Sequence, residues 1–431
     1  MKKVASFALG CKVNQYESEA VAELFKEKGY EIVGIDDYAD IYIINTCTVT
    51  NFGDKKSRQL IRKCKRQNAD AFVAASGCYA QVSPDEILAI DGVDLVVGTS
   101  GRKDIVRLVE EAYKSGKKQA VVSEIMKVRD FEELSVSNLE DRTRAYIKIQ
   151  DGCDRFCSYC IIPYARGPVR SRKMEDIIAE VNKLSANGFK EVVLTGIHVA
   201  SYGKDLKDVT LLDVIKEVSK NDGIKRIRLS SVEPNIITDE FMAELSKIDK
   251  FCDYFHLSLQ SGCVKTLKEM NRRYSPEEYK KAVETVRKYM SDAGFTTDII
   301  VGFPGESEED YKESCDFAED MGFLKIHVFP FSPKKGTPAA KRKDQLLNSV
   351  KSERSKHLIE ISDRLGEEFI GSFVGKEMDV LFERKDSKGF WEGHTTNYIK
   401  VKARNNDELE NVIRKVRITK AFAEEAEGEI L

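Results

Sequence analysis

Apolar positions along the first 115 residues fall into two alternating textures. Short continuous runs stand at residues 4–9, 41–45, 71–76 and 95–97. The segments 15–28, 54–67, 84–90 and 103–114 instead repeat apolar residues every three or four positions, the period of a helix with one buried face. Strand and helix in alternation predict an open parallel α/β sheet. The alternation resumes at a larger spacing beyond residue 145, with strands expected at 145–150, 192–196, 227–232, 255–260, 296–303 and 325–331. Six such units predict an incomplete (β/α)6 TIM-like barrel whose site lies at the carboxyl ends of its strands. From residue 369 the pattern shortens to alternating stretches at 377–383, 389–393, 398–403 and 412–421, set off by Gly and Asn, as in a small antiparallel β-barrel. The polar stretch 115–144 reads as a linker or crossover. Three domains are therefore expected, at 1–116, 139–368 and 369–431.

A chain of 431 residues exceeds the usual size of one hydrophobic core, in keeping with that division. Hydrophobic residues make up 42% and charged residues 33%, and no apolar run approaches the ~18 residues of a membrane span. Met1-Lys2-Lys3 leads straight into the first strand without a secretory signal, so a cytoplasmic location is expected, with no membrane partner. In a reducing compartment ten cysteines read as metal ligands rather than disulfides. The net charge of −3 excludes a global nucleic-acid footprint. Charge is nevertheless concentrated between residues 331 and 357, where eight Lys/Arg against Asp344 and Glu353 give 8 − 2 = +6. That run attracts phosphates if it faces RNA, and is a solvated helix otherwise.

Cys153, Cys157 and Cys160 form a C-x3-C-x2-C triplet with no fourth ligand nearby; His198 and Cys252 are the next candidates downstream. A structural zinc site needs four ligands. A four-iron cubane bound by three thiolates keeps one iron open to a small molecule. A second trio is spread out: Cys11, Cys47 and Cys78 each follow an expected strand of the first sheet. Ligands in open α/β sheets sit beyond the carboxyl ends of the strands, so these three are expected to meet at one crevice. Cys64 and Cys315 read as helix residues, and Cys252 and Cys263 as packing.

The cluster triplet, followed by Ile161-Ile162-Pro163-Tyr164-Ala165-Arg166-Gly167, resembles the cluster loop of radical S-adenosylmethionine (SAM) enzymes. Together with Gly10-Cys11-Lys12-Val13-Asn14-Gln15, Asn45-Thr46-Cys47, Ser76-Gly77-Cys78, Thr195-Gly196-Ile197-His198, Ser258-Leu259-Gln260-Ser261-Gly262 and Gly302-Phe303-Pro304-Gly305, it makes the whole chain resemble the methylthiotransferases of that superfamily. Residues 10–18, Asp154-Arg155 and Met270-Asn271-Arg272-Arg273-Tyr274 are most similar to the branch acting on N6-threonylcarbamoyladenosine in tRNA. Val264 departs from that branch, which carries Asp there, beside the expected cofactor pocket.

The resemblance implies two 4Fe-4S clusters. Cys153, Cys157 and Cys160 would hold the one that binds SAM and reductively cleaves it to a deoxyadenosyl radical. Cys11, Cys47 and Cys78 would hold the one that carries the transferred sulfur. It further implies a C-terminal TRAM domain that binds RNA, tRNA held by its anticodon stem-loop as substrate, a reducing electron donor and a sulfur source. The product would be 2-methylthio-N6-threonylcarbamoyladenosine at position 37. Carbon 2 of adenine has no acidity that a general base can use at neutral pH, which is why a radical route suits it.

For SAM, the expected contacts are Gly196 and His198 at the second barrel strand, Glu233 on the ribose, Gln260 and Ser261 at the fourth strand, and Arg272 on the carboxylate. An ordinary strand-to-helix turn is the competing reading of His198, and a surface arginine that of Arg272. Arg166, Arg170, Arg172 and Lys173 are expected at the barrel mouth, gripping the RNA. Competing functions are the same chemistry on isopentenyladenosine tRNA or a ribosomal protein, and a non-catalytic iron–sulfur carrier or redox-sensing RNA binder.

Overall fold

In the computed structural model, which describes residues 1–136 and 143–431, the three textures become three sheet systems. The first is an all-parallel sheet of β1 (Lys3–Ala8), β2 (Glu31–Val33), β3 (Ile41–Thr46), β4 (Phe72–Gly77), β5 (Leu95–Val97) and β6 (Gln119–Val121), in the order β2-β1-β3-β4-β5-β6. Every residue of β3 and β4 is buried, because helices cover both faces, and so these strands read as unbroken apolar runs. Ile41 and Ile43 pack with Val21, Phe25, Ile105 and Val109 on one face, while Tyr42 and Ile44 pack with Ile61, Cys64 and Ile87 on the other. The order of strands reverses between β1 and β3, which opens a crevice beyond their carboxyl ends. β6 lies past residue 116, so the stretch expected as a linker adds a strand to the first sheet, paired Leu95 to Gln119. The expected start of the second domain, residue 139, lies outside the described residues.

The second system holds the six expected parallel strands: β7 (Arg144–Asp151), β9 (Glu191–Gly196), β10 (Arg226–Leu229), β11 (Tyr254–His256), β12 (Gly294–Val301) and β13 (Lys325–Pro330). A two-residue strand, β8 (Arg170–Ser171), pairs antiparallel with the end of β7. Bridges Ile227 to Phe251 and Val232 to Leu257 join the two halves of the barrel wall. Among the described residues β13 does not pair with β7, so the barrel is open on that side. The first helix, Lys12–Glu27, serves two cores: Val21 and Phe25 pack on the sheet, Tyr16 and Ala20 against the barrel.

The third system is a closed barrel of β14 (Glu377–Lys385), β15 (Phe390–His394), β16 (Lys400–Arg404), β17 (Ile413–Ala421) and β18 (Ala426–Ile430) around Trp391, Val401 and Val416. Glutamates crowd the chain after residue 421. They flank and alternate along β18, which closes the barrel by pairing parallel with β16. The helix Asn348–Gly371 joins this barrel to the second system. Arg226 donates to the carbonyls of His394 and Asp379, both at 2.8 Å, and Arg228 donates to those of Thr396 at 2.6 Å and Thr395 at 2.7 Å. These bonds fix the tip of the small barrel against the amino-terminal end of the large one. No helix among the described residues is long and apolar enough to cross a membrane.

Candidate active site

The cluster loop leaves β7 through Gly152, at φ +74°, where a Cβ would lie 1.8 Å from the Pro168 carbonyl oxygen. Only glycine allows the loop to turn back on itself there. The Cys153 N–H then donates to Gly167 O at 3.0 Å, and Ser158 N–H to Met270 O at 2.9 Å. Asn271 Nδ2 donates to Phe156 O at 3.0 Å. The segment 269–271 therefore pins the loop that carries the three thiols.

In the first sheet Cys11 caps the helix Lys12–Glu27, Cys47 follows β3, and Cys78 opens the short helix after β4. Gly10, at φ +93°, lets β1 pass so close to Cys47 that a Cβ would meet its Sγ at 2.6 Å. In neither trio do all three Sγ atoms lie within 4.8 Å of one another. A single tetrahedral zinc, with Zn–S of about 2.3 Å, would draw them to about 3.8 Å. Neither trio is drawn that close. Burial raises the thiol pKa of Cys47 to about 12, of Cys153 to about 11 and of Cys160 to about 12. These are protonated thiols that ionise only for a strong cation, so metal binding releases protons.

One cavity of about 630 Å³ joins the two loops. Its lining includes Gly10, Cys11 and Val49 from the first sheet, and Cys153, Cys157 and Cys160 from the barrel. It also includes Thr195, Gly196 and His198 after β9, and Glu233 after β10. The volume is that of a small-molecule site. At its rim Glu233 faces Arg155 at 2.9 Å, His198 at 3.1 Å and Arg272 at 3.2 Å. Burial opposes charge on Glu233, but the His198 bond and the two arginines outweigh it and hold the pKa down to about 2. Arg272 also reaches Cys157 Sγ at 3.5 Å.

Gly196, His198, Glu233 and Arg272 thus come together around the cluster loop. Glu233 faces all three of its cationic neighbours and anchors that charge cluster. Gln260 and Ser261 do not line this cavity: Gln260 bridges backbone to Ile299, and Ser261 Oγ accepts from Cys263 N–H. Ser258 lines the cavity from that strand instead. Val264 is also away from the cavity, exposed at the start of its helix. Gly302 to Gly305 form a tight turn over Glu306.

Arg166, Arg170 and Arg172 are corrected most firmly. They are not at a surface but are buried to 2% exposure or less. Arg166 donates to Glu17 at 3.0 Å, to Asn14 at 2.5 Å and to Cys78 Sγ at 3.2 Å. Arg170 faces Asp151 at 3.4 Å, and Arg172 pairs with Glu180 and, at 2.9 Å, with Glu133. Glu17 also receives Arg102, and Lys148 at 2.7 Å. These arginines lock the first helix to the barrel and tie one trio to the other, leaving none for phosphates. Lys173 remains exposed, ahead of the helix Met174–Ala186. Half of the basic run likewise has protein partners: Lys334 pairs with Asp54, Arg342 with Glu269, Arg354 with Glu306, and Lys351 donates to Phe331 O.

Sequence reasoning missed Lys12, Tyr254, His256, Asp298, His327 and Tyr398 as lining residues. They come from five separate parts of the chain, only Tyr254 and His256 sharing a strand, and no local spacing links the rest.

Comparison with known proteins matches residues 147–318 to the radical SAM superfamily and residues 3–98 to the uncharacterized protein family UPF0004. The threonylcarbamoyladenosine tRNA methylthiotransferase MtaB of Bacillus subtilis is 44% identical, over 100% of this chain and 97% of that protein. The chain belongs to the radical SAM tRNA methylthiotransferases. The MtaB of Aquifex aeolicus is 39% identical over 96% of the chain and 99% of its own length. The tRNA-2-methylthio-N(6)-dimethylallyladenosine synthase of Acetivibrio thermocellus is 36% identical over 87% and 79%. The radical SAM methyltransferase TsrM of Kitasatospora setae shares the fold at a TM-score of 0.57 and 15% identity, over 91% of this chain and 80% of that one. As a radical SAM methylthiotransferase the enzyme acts on tRNA and uses SAM and two 4Fe-4S clusters, and the two trios of thiols fit that pair of groups.

Proposed function

We propose that the enzyme replaces the carbon-2 hydrogen of N6-threonylcarbamoyladenosine at position 37, beside the tRNA anticodon, with a methylthio group. The observation that carries this reading is the single cavity, lined at once by Cys11 of one trio and by Cys153, Cys157 and Cys160 of the other. The names of the two MtaB relatives support the choice of base. Cys153, Cys157 and Cys160 would hold the cluster that activates SAM, and Cys11, Cys47 and Cys78 the cluster that bears the sulfur. When bound, these groups supply one-electron cleavage of SAM and a transferable sulfur. Arg272 and Arg155 orient Glu233 at the cavity rim, and His198 is positioned by it. Cys78 is held by Arg166, which keeps the two loops in register. An electron donor and a sulfur source are required from outside the chain.

The substrate is an anticodon stem-loop whose base 37 must leave its stack to enter the cavity. Its flanking phosphates are held by the exposed lysines Lys335, Lys341 and Lys343, not by the buried arginines. Gly336 and Ala339 of that segment lie against the cluster loop: Ala339 N–H donates to Ser158 O at 2.8 Å. The test is the mass spectrum of tRNA nucleosides with and without the gene. Loss of 2-methylthio-N6-threonylcarbamoyladenosine alone is expected. Loss of the methylthio-isopentenyl nucleoside instead would transfer the function to that substrate.

A further inference from the structure

The cavity wall away from the cluster loop is built from β11, β12, β13 and the tip of the C-terminal barrel, and it is polar. Tyr254, His256, Asp298, His327 and Tyr398 line it, with Lys12 entering from the first helix. The β12–β13 register places Asp298 opposite His327. The ligand atoms of His256, Asp298 and His327 all lie within 4.8 Å of one another. Tyr398 stacks on Tyr254 with ring centres 4.3 Å apart and takes the left-handed backbone conformation, φ +74°. A non-glycine residue in that region is held there by its surroundings at a cost, a pattern found at functional sites. Among the described residues Lys12 Nζ makes no hydrogen bond and no ion pair; it stands 5.4 Å from the centre of the Tyr146 ring.

Tyr254 OH and His256 Nδ1 already share Thr296 Oγ1, at 2.7 and 2.9 Å, but His256 Nε2 makes no hydrogen bond, and an isopentenyl arm on adenine, being purely apolar, would leave it and Lys12 without one, a costly arrangement for buried polar groups. A threonylcarbamoyl arm carries a urea, a hydroxyl and a carboxylate, which match donors, acceptors and a cation. We propose that this wall seats the substrate's N6 arm and selects a carboxylate-bearing one. Lys12 takes the carboxylate, the His256–Asp298–His327 group takes the urea and hydroxyl, and the Tyr254–Tyr398 stack closes the end. The inference rests on the reading of the enzyme as acting on N6-threonylcarbamoyladenosine and adds how that base is told from others.

The test compares three synthetic anticodon stem-loops with the reconstituted full-length enzyme, SAM and a reductant. One bears N6-threonylcarbamoyladenosine, one its methyl ester, and one N6-isopentenyladenosine; kcat/KM for the methylthio product is read by mass spectrometry. The ester is expected to fall roughly 10- to 100-fold below the acid, the worth of one charge-assisted bond, and the isopentenyl substrate further. In Lys12→Met the ratio of acid to ester should move toward one. Equal rates for acid and ester in the wild-type enzyme would overturn the inference while leaving the function standing. Reaction with the isopentenyl loop alone would overturn the function itself. The wild-type comparison decides even if the Lys12 variant fails to retain iron.

Discussion

Glu17 is a fully buried carboxylate whose oxygens face Arg102, Lys148 and Arg166, and beside it Asp151 faces Lys148 at 2.6 Å. Burial alone would raise both pKa values, but the surrounding cations win and press both well below the ordinary carboxylate range. Because the folded values are depressed, their contribution to stability is complete above the unfolded carboxylate pKa of about 4 and is lost as pH falls below it. The denaturation midpoint should therefore hold steady from neutral pH to about pH 5 and drop below about pH 4. Glu17→Gln strips the charge and leaves three buried cations short of a partner, which should cost about 3–5 kcal/mol at pH 7. Urea unfolding across the pH range checks both statements, and the variant should show a shallower acid slope. A midpoint in Glu17→Gln equal to that of the wild type would contradict this account of the interface.

Elements were legible where burial writes a pattern and illegible where it does not. β3, β4 and β5 read clearly because both faces are covered. β2 and β6 are three-residue edge strands with exposed positions and leave no run to read. β18 was hidden because its solvent-facing glutamates dominate the local charge. The placement of the six cysteines, three in one loop and three at strand ends, was legible because loop spacing and strand ends are local features. The roles of Arg166, Arg170 and Arg172 were not, since sequence displays a charge but not its partner, and Glu17 lies 149 residues from Arg166. The segment after β13 carries the consequence. Reversing Lys335, Lys341 and Lys343 to Glu should weaken tRNA binding and reduce its salt dependence, because these side chains are solvated and free to meet phosphates. Reversing Arg170 and Arg172 should instead lower stability, because it sets like charges against Asp151 and Glu180. Binding measured over a range of salt, beside thermal unfolding, separates the two sets. Unaltered affinity in the lysine variant would remove this segment from the RNA interface.

At the scale of the whole molecule, three sheet systems contribute to one cavity: Cys11 of the first sheet's thiol trio, all three thiols of the large barrel's trio, and Tyr398 from the small barrel. Such sharing permits two separable jobs only if each trio holds its own group. Cys157 lies in the cluster loop, in reach of Arg272 and next to the charge cluster around Glu233, whereas Cys47 is buried behind Gly10, outside the cavity lining. Replacing Cys157 by Ala should abolish formation of deoxyadenosine from SAM under anaerobic reduction. Replacing Cys47 by Ala should leave that cleavage running while methylthiolated RNA disappears, and should remove about four of the roughly eight irons held by the reconstituted chain. The contrast is diagnostic because a general loss of folding would suppress both readouts together, as would a single cluster shared by all six thiols. Parallel assays of deoxyadenosine, modified nucleoside and iron on the same preparations give the answer: equal loss of both products in Cys47→Ala would mean that the two trios do not act as independent sites.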